Sequence, residues 1–171
     1  MAGVRFGKGM RVDKHTCLCV RNGSCITVGS NVYLRSNRDG YHTGMPYPAT
    51  LLADGLQSQI IIGDNCRIIG AYVHAQRMIE IGSNCVIAAG VNIIDSNGHQ
   101  VHSANRTIGR DKPEPIRLGN NVWIGVNTVI LKNTTIGDNC VVSAGSVVKG
   151  IFPANSIIQG NPAMVIGEVK I

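Results

Sequence analysis

Aromatic side chains are scarce in this chain, with one Trp, two Phe and four Tyr among 171 residues. Charged residues make up only 15%. Few aromatics combined with abundant Val, Ile and Gly argue against a helical bundle and for a repetitive β architecture. Acidic residues are also few. Asp and Glu number 10 against 16 Lys and Arg, for a formal charge of +6. No basic cluster is interleaved with aromatics, which speaks against nucleic acid as a partner. A dispersed positive field suits a polyphosphate cofactor or an acidic glycan equally well. Long hydrophobic runs are missing: no stretch approaches the ~18 apolar residues of a membrane span. The opening MAGVRFGKGM has no apolar core of the secretory kind. The expectation is a cytoplasmic protein without membrane insertion, whose six cysteines are reduced thiols.

What is present is a period of six. From Leu118 the hexads run LGNNVW, IGVNTV, ILKNTT, IGDNCV and VSAGSV, so that Leu118, Ile124, Ile130, Ile136, Val142 and Val148 recur without a break. Val122, Thr128, Thr134, Cys140 and Ser146, all small or β-branched, occupy the fifth places. Upstream, Ile62, Ile68, Ile81, Ile87 and Ile93 anchor the same pattern, and Phe6, Val12, Leu18 and Val28 begin it more weakly. Six residues make one short strand and one turn. Three such units close a triangular coil of about eighteen residues, and stacking the coils buries the anchors that one coil alone leaves exposed. The period therefore predicts a left-handed parallel β-helix of about six coils, forming a single domain over 1–171. A β-sandwich would show period-two alternation with turns about 8–12 residues apart. Asn65, Asn84, Asn121 and Asn139 each follow a Gly-x pair and are expected at the corners.

The period lapses twice, predicting insertions at about 35–60 and 99–116, and a C-terminal tail is expected at about 154–171. Insertions leave a solenoid at its corners and often shape the binding face. The second follows Asp95-Ser96-Asn97-Gly98-His99-Gln100-Val101-His102. An imidazole titrates near ~6.5 and is an effective base at neutral pH, so His99 is a candidate for chemistry. Asp95, four residues earlier, is its orienting partner, an acceptor contact, or a turn residue with its carboxylate on backbone amides. Cys66, Cys85 and Cys140 sit at fifth places where Val, Thr and Ser also occur, and read as small core residues. Cys17 and Cys19 lack zinc-knuckle spacing, and no metal is expected.

The hexads, the Gly98-His99-Gln100-Val101-His102 run, Asn121-Val122-Trp123-Ile124-Gly125 and Gly160-Asn161-Pro162-Ala163 resemble the hexapeptide-repeat acetyltransferases, among them the galactoside, maltose and capsule O-acetyltransferases. The resemblance is good over roughly residues 60–167. It implies an acetyl-CoA-dependent O- or N-acetyltransferase acting on a small acceptor of the sugar or surface-polysaccharide-precursor kind, with His99 as general base. It also implies cofactor contacts from Trp123, Gly125, Ala144, Gly145 and Lys149, and acceptor contacts near His74, Gln76 and Asn97. The family's homotrimer, with active sites between subunits, is a further implication. Met164 stands where the family has a cofactor-contacting arginine, and Gln76 where it has an acceptor-contacting aspartate. Two other readings compete: a γ-carbonic-anhydrase-like zinc enzyme using His74, His99 and His102, and a non-catalytic scaffold.

Overall fold

Alternating in-and-out side chains on strands of two to six residues, broken by turns that only Gly and Asn adopt easily, leave the chain one economical way to bury its aliphatics. It winds into a three-sided column. The computed structural model describes residues 3–170. The fold is a left-handed parallel β-helix. Its first face has seven strands, its second eight and its third six, every third strand falling on the same face. Six complete coils result, plus two sides of a seventh, as the period predicts. No helix among the described residues is long and apolar enough to cross a membrane.

The anchors stack in register. Val28, Ile62, Ile81, Leu118, Ile136 and Phe152 align up the first face. Leu34, Ile68, Ile87, Ile124, Val142 and Ile158 align up the second. Leu18, Leu51, Val73, Ile93, Ile130 and Val148 align up the third. Most of these side chains are fully buried, each contributing about 1.5–3 kcal/mol of burial free energy. Cys66, Cys85 and Cys140 are completely enclosed in the same core, as their place in the hexad suggested. Phe6 and Val12 lie half-exposed at the open end of the column.

The corner between first and second faces depends on asparagine. Asn31, Asn65, Asn84, Asn121 and Asn139 all have φ between 54° and 61°. Their side chains form ladders: Asn31 Nδ2 donates to Asn65 Oδ1 and Asn65 to Asn84, each at 3.2 Å. Asn121 donates to Asn139, and Asn139 to Asn155, each at 3.0 Å. The amide thus tolerates the left-handed backbone and is hydrogen-bonded along the column axis.

The first insertion is shorter than the lapse in period. Thr50–Ala53 and Gln59–Ile62 are strands of the column, so only residues 36–49 leave the second–third corner. Leu51 is a true anchor whose period is hidden by a long turn before Gln59. The second insertion covers 95–115, between Asn92–Ile94 and Ile116–Leu118 at the third–first corner. Ser156–Gly160, expected as tail, continues the second face, and Ala163–Glu168 folds back antiparallel against it. Ala163 and Phe152, both nearly buried, close that end of the core.

Candidate functional site

The second face carries a groove of about 770 Å³ running along the column. Its centre line is a row of outward side chains in register: Arg11, Tyr33, Arg67, Val86, Trp123 and Val141. Its roof is the 36–49 segment. Met45, 5% exposed, pins that segment by packing with Ile69 and Ala89. Gly70 makes room for it, because a Cβ there would overlap the Met45 side chain. Tyr47 Oη donates to the Val91 carbonyl (3.3 Å) and accepts from Asn92 Nδ2 (2.8 Å), fixing the far end of the roof.

Small residues form the floor at the later coils. A Cβ on Gly125 would come within 2.6 Å of the Ala144 backbone nitrogen, so the two coils approach closely only because position 125 has no side chain. Ala144 lies exposed beside it, and Gly145 follows with φ +71°. Trp123, 55% exposed, lines this groove. Trp123, Gly125 and Ala144 are therefore brought together in one groove.

The remaining expected residues gather at a different place, the third–first corner. His99 stands exposed on the 95–115 loop, its Nδ1 2.8 Å from the Arg106 carbonyl. A carbonyl only accepts, so Nδ1 carries a proton, and in the neutral ring the lone pair is on Nε2. The loop is fastened at its base. Asp111 accepts from Ser96 Oγ (2.7 Å) and the Asn97 amide (2.9 Å), and Lys132 Nζ lies 2.9 Å from its carboxylate. Lys132 also reaches Glu114 (3.2 Å) and the Lys112 carbonyl (2.9 Å). Burial alone would raise the Asp111 pKa. The Asn97 amide and the Lys132 ammonium outweigh it and hold the carboxyl below its ordinary range. The bond to Asp111 in turn raises Lys132. Asn97 and Lys149 both line a shallow cleft at this loop, so within one chain Lys149 stands away from the Trp123 groove.

Asp95 is a correction. Its carboxylate is fully buried and accepts from the backbone amides of Gln76 (2.7 Å), Arg77 (2.7 Å) and Met78 (2.8 Å). Burial raises its pKa, and the three amides offset this only in part. It is the turn residue, not the orienting partner of His99, whose ring is held by Arg106 instead. The amide of Gln76 is spent in this turn. His74 points outward on the third face, in register with Ile94, the last strand residue before the loop. Its Nε2 lies 2.7 Å from Asp54 Oδ1, with the Tyr72 ring edge-on at 5.9 Å. Asp54 lies in the stretch where the period is hidden, and nothing in the sequence pairs it with His74. Among the described residues no three His, Cys, Asp or Glu side chains are grouped to hold a metal ion, so His74, His99 and His102 do not form a three-imidazole set within one chain.

Comparison with known proteins agrees with this architecture. A family profile described as Bacterial transferase hexapeptide (six repeats) matches residues 115–150, and one described as Hexapeptide repeat of succinyl-transferase matches 59–94. The chain is similar to the galactoside O-acetyltransferase of Escherichia coli K12, 44% identical over 92 residues that cover 54% of this chain and 45% of that protein. It thus spans about half the length of that relative. It is 29% identical over 171 residues to WbbJ of the same strain, provisionally named as a lipopolysaccharide biosynthesis O-acetyl transferase, covering 94% of this chain and 80% of that one. Among solved structures, a galactoside acetyltransferase in complex with coenzyme A superimposes with a TM-score of 0.52 at 28% identity, covering 91% of this chain and 66% of that chain. The repeats, the register of the coils and these relatives together make the chain similar to the hexapeptide-repeat acetyltransferases, with hexapeptide repeats matched over residues 59–94 and 115–150.

Proposed function

We propose that the protein moves an acetyl group from acetyl-CoA to a hydroxyl or amino group of a sugar acceptor. The observation that carries this reading is the placement of His99: the Arg106 carbonyl accepts from Nδ1–H, so in the neutral ring Nε2 is the nitrogen with the free lone pair, on an exposed loop. The thioester brings an already activated acyl carbon, so the protein has only to position two substrates and remove one proton. His99 Nε2 takes the proton of the acceptor hydroxyl or amine as its lone pair attacks the carbonyl carbon. The carbon–sulfur bond breaks, and the imidazolium returns the proton to the departing thiolate. The Gly125 and Ala144 floor admits a slender pantetheine arm, and Trp123 covers it.

His99 and the Trp123 groove lie on different sides of one column. A homotrimer of flat-sided prisms supports a complete site, with the loop of one copy facing the second-face groove of the next. His74 and Asn97 then stand beside His99 on the acceptor side, and Lys149 reaches the same rim.

Release of free thiol from acetyl-CoA in the presence of sugars and nucleotide sugars tests the activity. His99→Ala is expected to lower turnover by at least about two orders of magnitude, the scale of a lost general base, without unfolding the column. Wild-type rates in that variant would remove His99 from the mechanism.

A further inference from the structure

The second-face groove is chemically two-ended, and its early coils have no role in the reading above. There Arg11, Arg35 and Arg67 surround two tyrosines. Arg11 lies over the Tyr33 ring, 4.3 Å from its centroid, and Arg35 over Tyr41 at 5.2 Å. The Arg35 guanidinium is held rigidly, Nε donating to the Asn37 carbonyl (3.1 Å) and Nη2 to that of Asp39 (2.6 Å). Arg67 is exposed and makes neither an ion pair nor a side-chain hydrogen bond among the described residues. The nearby carboxylate, Asp13, is occupied elsewhere: it accepts from Tyr33 Oη (3.1 Å) and from the amides of Ser36 (3.0 Å) and Asn37 (2.9 Å).

No acidic side chain lines the groove. An unpaired guanidinium and a second one held in place on backbone carbonyls stand on an aromatic wall with no carboxylate facing them. Arginine forks bind carboxylate and phosphate oxygens best.

The position of this end along the column indicates which substrate supplies the anion. The His99 loop leaves the fourth coil, whereas Gly125 and Ala144 belong to the fifth and sixth coils and Arg35 and Arg67 to the second and third. A threefold axis parallel to the column preserves height, so a neighbour's His99 is level with the middle of the groove. The donor's arm then extends from that level over the small-residue floor. The arginine end, about 5–10 Å away on the other side at ~4.8 Å per coil, faces the acceptor. We propose, on the basis of the acetyl-transfer reading, that Arg35 and Arg67 bind an anionic group of the acceptor. The substrate class is then a sugar bearing a carboxylate or a phosphate, with Arg67 a specificity-determining residue.

The test is direct binding to the 171-residue chain, by titration calorimetry, of glucuronate, UDP-glucose, methyl glucoside and coenzyme A, repeated for Arg67→Gln and Arg67→Lys. One of the two anionic probes is expected to bind at least about tenfold more tightly than methyl glucoside. Which one binds separates a carboxylate from a diphosphate. Arg67→Gln should cost that probe about tenfold or more, with Arg67→Lys recovering part of it, and coenzyme A affinity should change less than about twofold. Equal binding of the neutral sugar, no binding of either anion, or an unchanged affinity in Arg67→Gln overturns the proposal. So does a loss confined to coenzyme A, which would assign these arginines to the donor's phosphates. Failure of the acetyl-transfer reading has a different signature: no coenzyme A binding and no thiol release, with the anionic sugar still bound.

Discussion

The Lys132 ammonium sits 2.9 Å from the Asp111 carboxylate, joining the column wall to the base of the loop that carries His99. Both side chains are largely shielded, 14% and 7% exposed. Such a pair, with its remaining donors placed on Glu114 and the Lys112 carbonyl, positions a loop more than it stabilises a fold.

Lys132→Met should therefore leave the melting transition nearly unchanged but lower turnover by about tenfold or more through displacement of His99. Hydrogen exchange of amides 96–111 measures the loosening. Unchanged protection together with full activity would show that the ion pair does not hold the loop.

The same pair gives the loop an acid limit. The Asp111 pKa is depressed in the folded protein, so its contribution is present above the ordinary carboxylate range and is lost as pH falls through the lowered folded value. Lys132 is raised, so its share is complete at neutral pH and disappears only in strong alkali. Protection of the Asn97 amide, followed by exchange from pH 6 downward, should fall only below the usual carboxylate range and should be insensitive to pH in Asp111→Asn.

Asp95→Asn separates a structural carboxylate from a catalytic one. Its two oxygens serve three amides, and the variant aims an NH2 group at donors that need an acceptor. A stability loss of about 1–3 kcal/mol is expected, read from denaturant midpoints. Turnover of the molecules that remain folded should stay within a few-fold of normal. A large fall in turnover at undiminished stability would return Asp95 to the active site.

Sharing of sites between subunits is testable by mixing two inactive variants. His99→Ala lacks the base and Ala144→Trp fills the groove, yet in a randomly mixed trimer about a quarter of the sites combine an intact base with an intact groove. Co-refolded protein should regain activity on that scale. Sedimentation should give three times the 18.2 kDa chain mass. Absence of complementation in a verified mixed trimer would confine each site to a single chain.

At the corners, Asn139→Ala should cost about 1–2 kcal/mol from its left-handed backbone, with a further loss from its ladder bonds to Asn121 and Asn155. Asn139→Gly should restore the backbone part alone. Equal stability of the two variants would show that φ +60° at this corner is not strained.

The column itself is written in the order of the residues. A side chain returning to the core every sixth place is a local property, so Leu118 to Val148 mark three faces before any contact is known, and Gly-x-Asn marks the corners because few other residues accept that backbone. Long turns hid Leu51 and made the first insertion look longer than it is. The role of Asp95 was undetermined at this level, since the three amides it caps lie on the preceding coil and their convergence depends on coil register. The Asp54–His74 pair, the Asp111–Lys132 fastening and the arginine end of the groove were invisible for the same reason. Their partners lie some twenty or more residues apart in the chain, and only the stacking of coils and the packing of Met45 beneath the 36–49 segment brings them together. Period and composition thus determined the fold and singled out His99. Tertiary structure decided which side chains face one another, because contact between coils depends on insertion length and turn geometry that a six-residue pattern does not encode.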